Sequence, residues 1–240
     1  MMKISIILAL SLLILTSCSA RINGVLRDGG SGDLTIEASL EPRMTSLIRS
    51  LNTVMGADPP ELILDGESIS RSMTASPGIA AVSLVNTSPA ALMGGIAISR
   101  VEDFLSPASG SRFITYWEGL TGGRPSGRIL INLNRENAPE LVALLSPEVV
   151  DYLTALMAPA VVGDDISKEE YLVLVNSLYG PAIVEEIRNA RILASIDFPA
   201  PITAIRGESS SSGRRAEFIL PLLDILVLET PMSWEVSWQR

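Results

Sequence analysis

The chain has 240 residues, of which 47% are hydrophobic and only 5% aromatic, and its formal net charge is −9. It contains no histidine and one cysteine, which excludes Ser-His-Asp and Cys-His catalysis, the usual His/Cys zinc sites and any disulfide within the chain. The acidic balance argues against nucleic acid and anionic headgroups as partners, since both are bound through basic patches.

Met1-Met2-Lys3 opens the chain with one positive charge, and an apolar run from Ile4 to Thr16 follows, broken only by Ser5 and Ser11. A membrane-spanning helix needs about 20 apolar residues, so this run fits the core of a secretory signal peptide instead. It ends in Leu15-Thr16-Ser17-Cys18, which resembles the lipobox of bacterial lipoproteins. The resemblance implies a diacylglyceryl group on the Cys18 thiol, cleavage after residue 17, acylation of the new N-terminus, and a cell-envelope location with the membrane as partner. Residues 1–17 are then a signal peptide and 18–240 a single mature domain, which loses only Lys3 among its charged groups and carries 17 basic and 27 acidic residues, net −10. Ser19 follows the cysteine; in enterobacteria a residue other than Asp there permits sorting to the outer membrane, but the membrane and the face are left open.

The mature chain reads as α+β. Ile22 to Leu26 and Leu34 to Leu40 alternate in polarity around the turn 28–33 and predict a hairpin. Pro42 opens a helix that carries Met44, Leu47, Ile48 and Leu51 at helical spacing, and a short helix is expected over 67–74. Strands are expected at 79–86 and 95–100. Another hairpin spans 112–118 and 128–134, joined by the turn Thr121 to Gly127. Residues 137–191 form a helical insert broken by proline and glycine, with Asn137 as the first cap. Ser167 and Glu170 make a capping box for a helix, Tyr171 to Val175, that is apolar nearly all round and therefore expected to be buried. Strand character returns at 192–198 and 202–206. The four serines between Gly207 and Gly213 read as a mobile hairpin tip, Ala216 to Leu220 pairs back, 221–228 is apolar and of uncertain type, and Trp234-Glu235-Val236-Ser237-Trp238 is an alternating strand.

No catalytic residue, cofactor or metal ligand emerges. Asp164, Asp165, Glu169 and Glu170 lack calcium-loop spacing and sit where a helix N-terminus favours negative charge. Glu118, beside Tyr116 and Trp117, is a candidate for a carbohydrate site, against the commoner reading of a solvated carboxylate; a glycosidase needs a second acid at a set distance. The segment 121–127 lacks the ending of a phosphate loop, and Ser167-Lys168 is a cap rather than a dyad. Trp117, Trp234 and Trp238 are the candidate ligand-pocket residues, with burial in the core as the competing reading of the last two.

The runs Leu145-Ser146-Pro147-Glu148, Tyr171-Leu172, Tyr179-Gly180 and the tail from Leu222-Leu223-Asp224 to Trp238 resemble uncharacterised spirochaete lipoproteins over most of the mature chain, which implies no activity. Phe198-Pro199, Gly207 and Trp234 or Trp238 resemble positions of LppM-type lipoproteins, where a strand, a glycine-bearing turn and a tryptophan-ended strand recur. That resemblance implies lipid binding, although the insert at 137–191 departs from the pattern and no binding residue carries over.

The expectation is an antiparallel sheet built from N- and C-terminal hairpins with a helical subdomain inserted. The function expected first is a non-enzymatic envelope lipoprotein, a structural, assembly or protein-interaction module. An alternative is a binder of lipid or another apolar molecule, in a pocket walled by helix 42–55 and helix 168–178. A carboxylate-dependent hydrolase ranks third.

Overall fold

The computed structural model describes residues 19–54, 61–104, 113–142, 147–207 and 209–240. Residues 1–17, expected to be a signal peptide, and Cys18 lie outside the described residues. The fold is α+β, and its strands form two sheets.

The larger sheet has seven strands. Its centre is β1 (Ser19–Leu26), flanked by β2 (Gly32–Ser39), with β4 (Ala91–Ile98) and β3 (Ile79–Ser88) beyond. On the other side of β1 lie β7 (Arg191–Asp197), β10 (Arg215–Pro221) and β9 (Ser209–Ser212). The N- and C-terminal halves therefore meet as expected, but through a parallel pairing, Ser19 to Arg191 and onward to Val25 with Asp197. Parallel neighbours need a long crossover, and everything between β1 and β7 supplies it. The second sheet takes β5 (Ile114–Thr121), β6 (Arg124–Leu133), β11 (Met232–Gln239) and β8 (Ile202–Arg206), in that order. One sheet was expected from the sequence. The second forms because the final strand pairs with the middle hairpin, Val236 opposite Ile129, and draws β8 with it.

The two sheets pack face to face. Leu26, Ile96, Ile98, Ala216, Val236 and Trp238 share one buried cluster with Phe198, and Ile36, Tyr116, Ile129 and Ile205 close around it. The period-2 alternation of each strand puts these side chains on one face. A helix at Gly66–Thr74 (α2), N-capped by Asp65 through the amides of Glu67 and Ser68, lies along β3 and adds Met73 to the same cluster.

The remaining helices form a layer at one end of the large sheet. β2 ends at Ser39 and leads into α1 (Pro42–Val54). β7 begins after α8 (Pro181–Asn189), and β10 ends at Pro221 and leads into α9 (Leu222–Val227). Since Ser39, Arg191 and Pro221 are register neighbours of the Ser19 end, the layer stands at the start of β1. It is completed by α5 (Pro147–Ala155), α6 (Pro159–Val162) and α7 (Lys168–Tyr179), with the short α4 (Ala138–Val142) against α6, while the short α3 (Val101–Phe104) lies beside Ile114–Thr121. Met44 and Ile48 of α1, Tyr171, Leu172 and Val175 of α7, and Ile183, Val184 and Ile187 of α8 fill one core. The two helices expected to wall an apolar pocket thus share a packed interior. Tyr171 is fully buried and its hydroxyl donates to the Leu156 carbonyl at 3.3 Å, so its polar end is satisfied.

Helix α7 begins as its capping box predicts. The Ser167 hydroxyl accepts from the Glu170 amide at 3.2 Å, and the Glu170 carboxylate accepts from the Ser167 amide at 2.8 Å. The Ser167 amide, and then the Ser167 hydroxyl, which also donates to this carboxylate at 2.8 Å, hold the Glu170 carboxyl below the usual glutamate range. The helix is not buried all round, however. Val173 is 69% exposed and Leu178 53%, because only the side bearing Tyr171, Leu172 and Val175 meets neighbours. Ser167→Ala is expected to cost about 1 kcal/mol of stability, read as a lower midpoint in chemical denaturation. A depressed carboxyl stabilises above its unfolded pKa and loses that effect as pH falls through its folded value, so the difference between wild type and S167A should shrink in acid.

Three local expectations are corrected. The turn expected over Thr121 to Gly127 is only Gly122-Gly123, both at positive φ, the geometry of a two-residue hairpin loop; Arg124 to Gly127 belong to β6. The four serines expected at a mobile tip pair as β9 with Phe218 to Arg215, and the turn falls at Gly213. Asn137 does not cap α4 with its side chain as expected. That amide turns back to the Asn132 carbonyl and the Asn134 amide, while the Asn134 side chain accepts from the Glu136 and Asn137 amides.

Candidate functional site

Strand β5 alternates Thr115, Trp117 and Gly119 on its outer face with Tyr116 and Glu118 on the inner one. The register carries the outer face across the sheet, Trp117 opposite Arg128 and Arg128 opposite Ser237. Trp117 is 47% exposed. Its six-membered ring occupies the space that a side chain at Gly119 would need: a Cβ there would stand 2.7 Å from the Trp117 Cζ2. The glycine thus provides the seat on which the indole lies.

A depression of about 490 Å³ adjoins this ring, lined by Thr115, Ser126, Arg128, Thr203, Ser237 and Gln239 among others. Its polar groups are held in place. The Gln239 amide donates to the Thr121 carbonyl and to the Ser126 hydroxyl, both at 3.2 Å. The Thr203 hydroxyl donates to the Ser237 carbonyl at 3.3 Å. Arg128 lies 3.1 Å from the Glu235 carboxylate, which Arg206 also approaches at 3.7 Å.

A second depression, about 430 Å³, also borders Trp117, between Gly29, Gly30, Arg100, Glu102, Tyr116, Glu118 and Leu120. Here Glu118 serves the fold. Its carboxylate accepts from the Gly29 amide at 3.0 Å and from the Tyr116 hydroxyl at 2.7 Å, which ties the β1–β2 turn of one sheet to the edge strand of the other. Burial and that bond to Glu118 push the Tyr116 hydroxyl well above the usual tyrosine range. An ion pair between Arg240 and Asp28 reinforces the junction.

The three tryptophans do not form one pocket. Trp117 stands on the outer face. Trp234 and Trp238 point inward, 5% and 2% exposed, because the alternation of β11 turns both toward the large sheet. Trp238 stacks obliquely on Phe198, with centroids 4.9 Å apart, and borders the first depression from beneath at Gly127. Trp234 packs with Leu133, Leu228 and Met232. Of the acidic cluster, Asp165 pairs with Arg135 and Glu170 caps α7; among the described residues no three potential metal ligands converge. Lys168, next to the capping serine, pairs with Asp224 at 2.6 Å and joins α7 to α9. Gly119, Arg128, Ser237 and Gln239 were not singled out from the sequence. The Thr-x-Trp-x-Gly alternation of residues 115–119 is the local signal that marks the first of them.

No family model matches the chain, and no curated protein matches it. A solved structure does resemble it. The NMR structure of the folded domain of LppM from Mycobacterium tuberculosis superimposes with a TM-score of 0.38 at 10% sequence identity, covering 92% of this chain and 89% of that one. At that score the likeness transfers no residue and no role. No helix among the described residues is long and apolar enough to cross a membrane.

Proposed function

We propose that the chain is an envelope lipoprotein, tethered by lipid on Cys18, that binds a partner and carries out no chemistry of its own. The observation that carries this reading is the position of Ser19. The residue directly after the lipobox cysteine already belongs to β1, the central strand of the large sheet. A lipid on Cys18 would therefore hold the helical layer end of the fold at the bilayer, with no linker between. The far end of β1 carries the 28–30 turn, and with it Glu118, Trp117 and Leu120. The side chains there suit binding: Glu118 is engaged by Gly29 and Tyr116, and the polar groups around Trp117 are fixed by neighbours. The apolar-ligand alternative gains no such support, since helices α1 and α7 bury their apolar faces in the shared core.

Anchoring by one or two acyl chains contributes about 0.8 kcal/mol per buried CH₂, so removal of the attachment atom has a large effect. In cells fed a labelled fatty acid, the wild-type chain should take up label and partition into detergent, and Cys18→Ala should do neither. A Cys18→Ala chain that still partitions, together with an unlabelled wild type, would overturn the reading.

A further inference from the structure

We propose that Trp117 is the platform of a binding site for a neutral, extended glycan that lies across strand β5. This deepens the binding role proposed above and rests on it.

A tryptophan half open to water has a cost, and here the sequence also provides the glycine seat that keeps its ring laid along the strand. Depressions of about 490 and 430 Å³ both border Trp117, so a ligand seated on it has room to continue beyond the ring. Sugar rings carry a face of C–H groups that stacks on an indole and an edge of hydroxyls that must be hydrogen-bonded. The surroundings match that pairing. Thr115 and Ser237 bear hydroxyls that both donate and accept, as sugar hydroxyls do, and the Thr203 hydroxyl and the Gln239 amide oxygen, whose donors are engaged, can accept.

Charge complementarity points to a neutral ligand. Arg128 and Arg206 share Glu235, Arg240 is paired with Asp28, and Arg100 lies 3.9 Å from Glu102 and 3.8 Å from Asp103. Glu118 is occupied by Gly29 and Tyr116. Few polar groups fixed around an apolar surface is the usual form of a small-molecule site.

The test uses the full chain purified in detergent micelles and two probes, cellotetraose and chitotetraose, observed by saturation transfer from protein to sugar protons in NMR. At least one tetrasaccharide should receive saturation on its ring C–H protons. Trp117→Ala should weaken that binding at least tenfold, Trp117→Tyr should retain part of it, and Val173→Ala, on the exposed side of α7, should leave it unchanged. Near-ultraviolet circular dichroism from Trp234 and Trp238 reports that each variant is folded. The proposal fails if neither sugar receives saturation at millimolar concentration, or if Trp117→Ala binds like wild type. It also fails if a proline-rich decapeptide, and neither sugar, perturbs the Trp117 resonances; that result would assign the platform to a peptide. Because the chain is dissolved, failure of the glycan assignment leaves the Cys18 labelling result untouched, and the reverse holds as well.

Discussion

Trp238→Ala should lower the stability of the fold by about 3–5 kcal/mol, the range for removing a large buried aromatic. The ring is 2% exposed and sits at the junction of the two sheets, 4.9 Å from Phe198 and 6.2 Å from Tyr116 between centroids. Opposite it in register is Gly127, where a Cβ would come within 2.8 Å of the indole nitrogen. With a glycine beneath, no side chain can swing in to fill the space, so the cavity term stays large. The loss should spread to the junction, because Tyr116 packs on this ring and holds Glu118. Urea unfolding should shift by roughly 1–2 M for a typical dependence on denaturant, and the Gly29 amide should exchange faster. Trp117→Ala, on the exposed face of the same sheet, should cost about 1 kcal/mol or less. Equal losses in the two variants would contradict the inward and outward placement of these rings.

That contrast also marks what could be read in advance. The strict alternation of β11 sufficed to place Trp234 and Trp238 on one face, and the hairpin of β1 and β2, the helix after Pro42 and the capping box at Ser167 follow from local rules that tertiary contacts did not override. Pairing between distant strands was not legible. Nothing in Ser19–Leu26 or Arg191–Asp197 specifies that they lie side by side in parallel, since that register depends on the whole crossover between them. The serines 209–212 have poor strand propensity, yet β10 offers them an edge and the backbone takes it. The candidate site was half legible for the same reason. Trp117 stood out by type and Arg128 lies across the expected hairpin, but Ser237 and Gln239 come from a strand over a hundred residues away, and only the register unites them.

Two adjacent glycines in β4 should respond in opposite directions to the same substitution. At Gly94 a Cβ would stand 2.8 Å from the Leu84 Cα and closer still to the Ser83 carbonyl oxygen, both backbone atoms of β3. A side chain in conflict can rotate away; a neighbouring strand cannot, so the β3–β4 pair must separate. That pair carries Leu84, Leu92, Ile96 and Ile98 into the core and supports α2. Gly94→Ala should therefore reach the upper end of overpacking costs, about 3 kcal/mol. At Gly95 the nearest atom to a new Cβ is the Leu34 carbonyl oxygen at 3.7 Å, an ordinary contact, and the backbone is not in the left-handed region. Gly95→Ala removes only freedom of the unfolded chain and should be neutral or stabilising by about 0.4–1 kcal/mol. Denaturation midpoints of the two variants, measured side by side, check both signs. A Gly94→Ala chain as stable as wild type would mean that β3 does not approach β4 as closely as its carbonyl at Ser83 requires.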